Sequence, residues 1–327
     1  MKVAPETGRD QVAAVVIGRN EGARLERCLT SLQGEADRIV YVDSGSTDHS
    51  VAFARQIGAE VVELDMSQPF TAARARNAGF EALKPNLPDC VQFVDGDCGV
   101  EKGWIAKGIA FLETRPDVGM VTGWRREIAP EASIYNAMAQ HEWHRPAGQI
   151  TACGGDMLLR AEAFDALGGM NPQVIAAEDD ELCVRLAKAG WVLWRLPEPM
   201  TLHDAAMTRF SEWWRRAVRT GHGFAQVGWL HPEYFVTERK RAWVYGAALP
   251  LLFLVGLEIE PLALLAALGW AWNYWRSAES LKREGMGRQR WHQALFLVLS
   301  KLPNVIGMLR FHARRRAGRA MRIIEYK

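Results

Sequence analysis

Two aspartates separated by one glycine end an apolar run in the segment CVQFVDGDCGV, residues 90–100. Asp95 and Asp97 put two like charges where a buried strand would end, and burial adds a desolvation cost to their repulsion. A divalent cation offsets both costs, because Mg²⁺ and Mn²⁺ prefer oxygen ligands and often bring substrate phosphates with them. A solvated Asp-Gly turn is the alternative, since a lone D-x-D motif is common.

A second acidic group precedes an amphipathic helix. It consists of four consecutive acids, Glu178, Asp179, Asp180 and Glu181. Acids in a first helical turn interact favourably with the helix dipole, so capping explains two of them. Four exceed what capping needs. If this helix start faces the Asp95–Asp97 edge, one carboxylate could act as a general base whose pKa is raised by its neighbours.

Two further groups stand after the apolar residues 191–202, which are typical of a strand. His203, followed by an aspartate, is a candidate metal ligand. Trp213 and Trp214, with arginines beside them, could stack on a sugar or nucleobase and pair with phosphates. They could equally dock their helix on a membrane region, and both interpretations stay open.

The elements that must position these residues are indicated by hydrophobic periodicity. The run VAAVVIG at residues 12–18 is typical of a buried parallel strand, and the next segment has apolar residues at helical spacing. Further strands are predicted within residues 38–48, 60–65 and 90–97, with helices over 49–59 and 71–83. This alternation predicts right-handed crossovers and an open, mostly parallel sheet. Ligands of such sheets bind beyond the carboxyl ends of the strands, and each of those ends is polar here.

Other nucleotide-binding motifs are missing from the sequence. The segment VIGRNEG does not match the dinucleotide fingerprint, and the chain has no P-loop motif. Arg74 and Arg76 open the third predicted helix near the same edge, where an arginine can pair with a phosphate. A solvated helix face is an equally good interpretation of these two residues.

Composition limits the class of protein. The chain has 327 residues, 49% of them hydrophobic, and a formal net charge of +2, which supports a large core and argues against a nucleic-acid binder. Its five cysteines form no zinc signature and are expected to be reduced thiols in a cytosolic setting. The N-terminus has no apolar signal-peptide core, so the chain is expected to stay in the cytoplasm.

Composition changes sharply near residue 241, where two uncharged runs begin, residues 242–257 and 261–275. Each is short for a span of about 20 residues. Basic residues flank the pair, and the positive-inside rule predicts a hairpin with both outer ends in the cytoplasm. A third apolar segment, 294–309, is interrupted by Lys301 and is expected in the membrane interface, with its arginine-rich tail on anionic lipid. A soluble helical subdomain or a dimer interface is the alternative. We therefore predict domains at residues 1–235 and 236–327.

Six segments, taken in order, resemble the family-2 glycosyltransferases of the GT-A fold. They are VVIGRNEGARLERCLTSL, VDSGSTDHS, ARNAG, FVDGD, CGGDMLLRAEAFDALGGM and AEDDELCVRLAKAGW. The resemblance covers roughly residues 11–225, and the ordered set is far more specific than any single motif. It implies a Rossmann-like α/β sheet flanked by helices, and sugar transfer from a nucleoside diphosphate with inversion at the anomeric carbon.

The resemblance also implies roles for individual residues. Asp95 and Asp97 would hold Mg²⁺ or Mn²⁺ on the diphosphate, beside the candidate ligand His203, and Asp179 would be the catalytic base. The donor-binding candidates are Asn20, Glu21, Asp43, Arg76 and Asp95. The acceptor-binding candidates are Gly155, Asp156, Glu178 and Trp214.

Two departures from the family pattern bear on specificity. The nucleoside loop has Asp43-Ser44 where many members have two aspartates, which leaves the base open, with a UDP-sugar favoured. The segment SEWWRR only loosely matches the Q-x-x-R-W signature of processive members, which favours one sugar per encounter.

The expected function is a metal-dependent transferase on the cytoplasmic face of the inner membrane. Its acceptor would be lipid-linked or a saccharide, in glycolipid or polysaccharide biosynthesis, with no nucleic-acid partner. Two alternatives stay open: a nucleotidyltransferase, which would attack a phosphorus atom, and a non-catalytic membrane scaffold that binds nucleotide sugars.

Overall fold

A computed structural model describes residues 11–324 of the chain. These residues form two compact units. The first consists of residues 11–130, 139–173 and 178–206, and the second of residues 131–138, 174–177 and 207–324. The main division thus falls after residue 206, earlier in the chain than the predicted boundary at 235.

Nine strands of the described chain form one sheet in the first unit. They are β1 (Val12–Gly18), β2 (Arg38–Asp43), β3 (Glu60–Glu63), β4 (Cys90–Asp95), β5 (Cys98–Val100), β6 (Val118–Glu127), β7 (Gly148–Ile150), β8 (Met157–Arg160) and β9 (Val192–His203). Their order is β3-β2-β1-β4-β8-β6-β9-β5, with β7 paired to β9.

The predicted parallel sheet is confirmed for the first four strands, in which β1 pairs in parallel with β2 and β4, and β2 with β3. Beyond them the sheet is mixed. The strand β8 is antiparallel to β4 and β6, and β5 and β7 are antiparallel to β9, whereas β6 and β9 run parallel. Parallel and antiparallel strands can have the same apolar pattern, so the sequence did not predict the change from parallel to mixed pairing.

The four helices that begin at residues 23, 50, 72 and 178 lie where the sequence predicts them, and three further helices of this part of the chain were not predicted. The helices of this part of the chain are α1 (Ala23–Leu32), α2 (Ser50–Gln56), α3 (Ala72–Leu83), α4 (Trp104–Thr114), α5 (Ile134–Trp143), α6 (Ala161–Ala166) and α7 (Glu178–Lys188). Along β1, Ala14 and Val16 belong to one core cluster, and Ala13 and Val15 to the other. Burial on both faces explains why β1 is apolar throughout.

The second unit is helical. It contains α8 (Phe210–Leu230), α9 (Val236–Trp243), α10 (Leu249–Gly256), α11 (Glu260–Arg283), α12 (Arg290–Leu299) and α13 (Lys301–Arg316). The helices α8 and α13 cross at backbone contact, because a Cβ added at Gly221 or at Gly307 would lie 2.0 Å from a carbonyl oxygen of the other helix. This packing explains why α8 belongs to the second unit rather than to the sheet domain.

One helical stretch of the described residues, Arg290–Arg316, is long and apolar enough to cross a membrane by length and composition alone. It contains the third apolar segment, for which the sequence predicts an interfacial position, and 39% of its most apolar window is buried within the protein. The first predicted run is divided among α9, a π-helical turn (Val244–Ala248) and α10, and the second lies within α11. These two helical regions form a hairpin whose turn lies between residues 256 and 260.

Candidate active site

The D-x-D turn lies at the carboxyl edge of the parallel strands. In the sheet register Ile17 is opposite Asp95 and Gly18 is opposite Asp43, so three strand ends meet at this edge. The Gly96 amide donates a 2.8 Å hydrogen bond to the Ile17 carbonyl, and a Cβ at this glycine would lie 3.0 Å from the same oxygen. The glycine between the two aspartates therefore lets the turn lie close against β1.

Arg76 connects the two acidic groups that the sequence analysis singled out. Its side chain is 2% exposed and lies 2.5 Å from Asp95 Oδ1 and 3.0 Å from Glu178 Oε1. Burial opposes the guanidinium charge, but Asp95 and Glu178 outweigh it and raise the pKa of Arg76 above its ordinary value. The start of α7 thus lies beside the D-x-D turn, as the proposed general base requires.

Asp179, the predicted base, is in an environment that favours its protonated form. Burial, followed by the charge of Glu178, raises the pKa of Asp179 to about 6, while Arg76 acts in the opposite direction. The Asp180 amide donates a 2.9 Å hydrogen bond to Asp179 Oδ1. A carboxylate with a pKa near 6 is well matched to accepting a proton at neutral pH.

Asp97 and His203 meet because β5 pairs with β9. Cys98 is opposite His203 in this antiparallel register, and His203 Nε2 lies 3.4 Å from Asp97 Oδ1. One ligand atom from each of Asp97, Cys98 and His203 lies within 4.8 Å of the others, and the same holds for Asp95, Cys98 and Asp156. The structure therefore brings two of the predicted metal ligands, Asp97 and His203, into one group and places Asp95 in a second group, and Cys98 belongs to both.

The chemistry of these groups fits a hard or borderline divalent cation. Burial, then the nearby aspartates, keep the pKa of the Cys98 thiol well above its ordinary value, and this thiol contacts Asp97 Oδ1 at 3.6 Å. A protonated thiol is a poor ligand, which leaves carboxylate oxygens and one imidazole. An imidazole among carboxylates suits Mn²⁺ better than Mg²⁺, which prefers oxygen. Burial opposes protonation of His203, but Asp97 and Glu127 outweigh it and raise the pKa of this imidazole.

Asp156, a predicted acceptor-binding residue, is 1% exposed. Its carboxylate accepts the Asp95 amide (3.1 Å) and the Thr201 hydroxyl (2.7 Å), and lies 2.8 Å from Arg125 Nη2. These contacts hold the D-x-D strand to β6 and β9. The carboxylate therefore has a structural role, and an acceptor contact from it stays a prediction.

Two residues at the end of β6 belong to the site and were missed by the sequence analysis. Arg125 lies between Asp156 and Asp95, 3.5 Å from the latter, and its guanidinium lies over the Trp143 ring. Glu127 faces His203 across the β6–β9 pair. The only sequence signal was the charged end, RRE, of an otherwise apolar strand.

The predicted nucleoside-binding residues shape the loop after β2. Asp43 accepts the Tyr41 hydroxyl (2.9 Å) and two loop amides, and Asn20 Oδ1 accepts the Thr47 amide at 2.7 Å. Asn20 has a left-handed backbone, with φ of 55°, that asparagine tolerates well. Glu21 forms a 2.8 Å ion pair with Arg24. These contacts stabilise the loop, and the direct donor contacts of the three residues stay predictions.

The aromatic pair after β9 lies in the second unit. Trp213 is buried and makes an edge contact with Phe296 at a centroid distance of 5.0 Å, which supports the helix-docking interpretation for this residue. Trp214 is half-buried beside Phe210. Its acceptor role stays a prediction.

Replacing Gly155 by alanine is expected to weaken donor binding and turnover at least tenfold. A Cβ at Gly155 would lie 2.2 Å from Arg76 Nη2 and 3.1 Å from Asp95 Oδ2, so it would displace the buried ion pair, whose disruption costs about 3–5 kcal/mol. Gly154→Ala is the matched control, because its nearest neighbour would be Arg125 Nη2 at 3.7 Å, an ordinary contact. Calorimetric titration with a nucleoside diphosphate and steady-state rates would measure both. Equal behaviour of the two variants would contradict this prediction.

Comparisons with known proteins agree on one class of enzyme. Residues 14–165 match the family model described as Glycosyl transferase family 2. The pre-mycofactocin glycosyltransferase of Mycobacterium tuberculosis is 27% identical over 238 residues, which are 68% of this chain and 48% of that protein. The succinoglycan biosynthesis protein ExoA of Rhizobium meliloti is 28% identical over 184 residues, covering 53% of this chain and 55% of that protein. The chain thus spans about half the length of these curated relatives.

A solved structure is similar over nearly the whole chain. The mannosyltransferase PcManGT from Pyrobaculum calidifontis, in complex with GDP-Man and Mn²⁺, has a TM-score of 0.61 at 20% identity. The alignment covers 94% of this chain and 89% of that chain. At this level of identity the likeness establishes a shared GT-A fold.

Proposed function

We propose, from the match of residues 14–165 to the model of glycosyl transferase family 2, that the protein is a metal-dependent, inverting glycosyltransferase with a nucleoside diphosphate sugar donor. The observation that carries the proposal is the buried Arg76, which joins the D-x-D turn to the acidic start of α7. This contact supports a candidate metal site and a candidate base at the same edge of the sheet.

The reaction follows from what each side chain can do. A cation held by Asp95, Asp97 and His203 would stabilise the charge that develops on the diphosphate leaving group. Asp179 accepts the proton of the acceptor hydroxyl while that oxygen bonds to the anomeric carbon. The bond from this carbon to the diphosphate oxygen breaks on the opposite face, and the diphosphate leaves with the electron pair. One displacement inverts the anomeric centre.

A donor panel tests this proposal. The full chain, in detergent and with MnCl₂, is incubated with UDP- and GDP-sugars and a membrane lipid extract, and release of the nucleoside diphosphate is measured. We expect release from one donor that increases with extract, with a UDP-sugar favoured. Pyrophosphate release from a nucleoside triphosphate and a sugar phosphate would indicate a nucleotidyltransferase instead. Donor binding with no product under any condition would indicate a scaffold.

We also propose that the enzyme acts at the cytoplasmic face of the inner membrane on a lipid-linked acceptor. The support is the exposed apolar surface of the α10–α11 hairpin in the second unit, where six leucines are each more than half exposed. They are Leu251, Leu254, Leu257, Leu264, Leu265 and Leu268. Contiguous apolar surface of this kind is rare on monomeric soluble proteins and is typical of protein or membrane contacts. The basic residues beside the hairpin favour the cytoplasmic leaflet.

Two charges on the hairpin are expected to release the protein from lipid. The double variant Leu254→Lys, Leu265→Lys places ammonium groups where the side chains are 61% and 57% exposed, so folding should be preserved while insertion becomes costly. Flotation with anionic lipid vesicles would measure binding. Met66→Lys, at a 43% exposed site in the first unit, is the control and should float like the wild type. Recovery of the full-length wild type as a monodisperse species without detergent would contradict the membrane proposal.

The rate is expected to fall with decreasing pH below about 6. Asp179 must be deprotonated to act as a base, and its pKa is about 6. This acidic limb of the pH–rate profile should appear in kcat/KM, which reports the free enzyme. A plot of log(kcat/KM) against pH should have unit slope there. The residual activity of Asp179→Asn should lack this limb. A profile that stays flat down to pH 5 would contradict the assignment.

Protonation of Asp179 does not destabilise the folded protein over this pH range. The pKa of Asp179 is higher in the folded protein than the ~3.9 of an unfolded aspartate. The folded state therefore binds this proton more tightly, and the contribution of Asp179 to stability increases as the pH falls from 6 towards 4. Circular dichroism at pH 5.5 should show a folded protein while the rate is already reduced.

A further inference from the structure

Glu127 is a buried carboxylate at the end of β6, outside the set of predicted site residues. Its side chain is fully buried. Its Oε2 accepts the Ala205 amide at 3.1 Å and lies 3.5 Å from His203 Nδ1. Burying a carboxylate costs several kcal/mol unless it is paired, so its charge requires an explanation at this position.

The strand registers put the His203 imidazole between two carboxylates. Glu127 is opposite His203 in the β6–β9 pair, and β5 brings Asp97 to the other ring nitrogen. The edge of Trp143 contacts the imidazole at a centroid distance of 4.6 Å and an interplanar angle of 72°. The ring is therefore restricted in orientation, with Nδ1 towards Glu127 and Nε2 towards Asp97.

We propose that Glu127 is a positioning residue for the metal site, a role that rests on the proposed function. A neutral imidazole has one donor and one acceptor nitrogen, and an ionised carboxylate can only accept. Glu127 therefore keeps the proton on Nδ1 and leaves the lone pair of Nε2 directed towards the cation beside Asp97. Carboxylate–histidine pairs of this kind fix both the tautomer and the ring orientation of a metal ligand.

A purely structural role would not need the charge. The nearer amide donor, Ala205 at 3.1 Å, requires an acceptor that a glutamine oxygen supplies equally well, and the contact of a second amide, Ala129, is longer at 3.4 Å. In Glu127→Gln an oxygen in the Oε2 position can still accept from both the Ala205 amide and His203 Nδ1, as Oε2 can in the wild type, but it carries no charge. The Asp97 carboxylate beside Nε2 is then the stronger acceptor, so the imidazole proton moves to Nε2 and the metal-directed lone pair is lost. The variant thus separates packing from positioning.

Two measurements on the full chain in detergent test this proposal. Long-range ¹H–¹⁵N spectra of ¹⁵N-histidine protein at about pH 8.5, without metal, report the tautomer, and His203→Asn identifies the resonance. Electron paramagnetic resonance titration with MnCl₂ and UDP or GDP reports affinity. We expect Nδ1–H in the wild type, its loss in Glu127→Gln, and a roughly 10–100-fold weaker Mn²⁺ affinity. Glu198→Gln is the control and should behave as the wild type. Glu198 lies on the same strand as His203, and its charge is at the surface, where it pairs with Lys107 of α4.

Each outcome is decisive for one proposal. Unchanged tautomer and Mn²⁺ affinity in a folded Glu127→Gln protein would overturn the positioning role and leave the metal site intact. Failure of the wild type to bind Mn²⁺ with either nucleotide would instead overturn the metal-dependent function, while the tautomer spectra would still decide what Glu127 does. If Glu127→Gln does not fold, Glu127→Asp serves, since its shorter side chain keeps the charge but withdraws it from Nδ1. Wild-type values for that variant would also overturn the role.

Discussion

Asp97→Asn is expected to lower turnover at least about 100-fold and to weaken Mn²⁺ binding to a similar degree. Substitution of a residue that only orients a metal ligand typically lowers metal affinity or activity about 10–100-fold. Loss of the charge of a direct ligand should therefore have a larger effect. Asparagine has the same shape and keeps an oxygen for the Cys98 thiol, so the thermal midpoint should change little. Steady-state rates with MnCl₂ and the Mn²⁺ titration would measure the two effects.

Asp117→Asn is the matched control for this change. Asp117 is another aspartate of the sheet domain, but it is exposed at the surface and paired with Arg115, 2.8 Å away. It should retain wild-type rates. Wild-type turnover that persists undiminished in excess chelator would show that the reaction needs no metal and would contradict the prediction for Asp97→Asn.

Asp179→Asn is expected to reduce the rate of the chemical step by about 10²–10⁴-fold, the usual contribution of a general base. Donor affinity should stay near the wild-type value, because the carboxylate acts on the acceptor hydroxyl. The asparagine oxygen can still accept the Asp180 amide, which preserves the start of α7. Single-turnover rates and donor titration would separate chemistry from binding.

Asp180→Asn is the control for the base, since it removes a charge from the neighbouring position of the same helical turn. It should keep most of the activity. If donor affinity collapses in Asp179→Asn while its single-turnover rate survives, Asp179 is a binding residue. Glu178 and Asp180 would then be the next candidates for the base.

The sequence by itself determined the first half of the sheet domain. β1 to β4 and the helices between them lie where their apolar periodicity predicts, because strand–helix alternation is a local pattern that forces parallel crossovers. It also identified Asp95 and Asp97 as a strand-end pair and α7 as a helix that begins with acids. In each case the sequence pattern extends over a few neighbouring residues. The free energy of placing charged side chains at a strand end or a helix start also depends on those neighbours.

Only the tertiary structure decided how these pieces meet. Arg76 contacts Asp95, which is 19 residues away in the sequence, and Glu178, which is 102 residues away. Glu127 and His203 lie 76 residues apart in the sequence. The assignment of α8 to the second unit likewise depends on backbone contact with α13. Such contacts depend on strand order, direction and register, which arise from packing of the whole sheet and leave no periodicity in the sequence. The role of the charged residues at the end of β6 follows only from the pairing of β6 with β9.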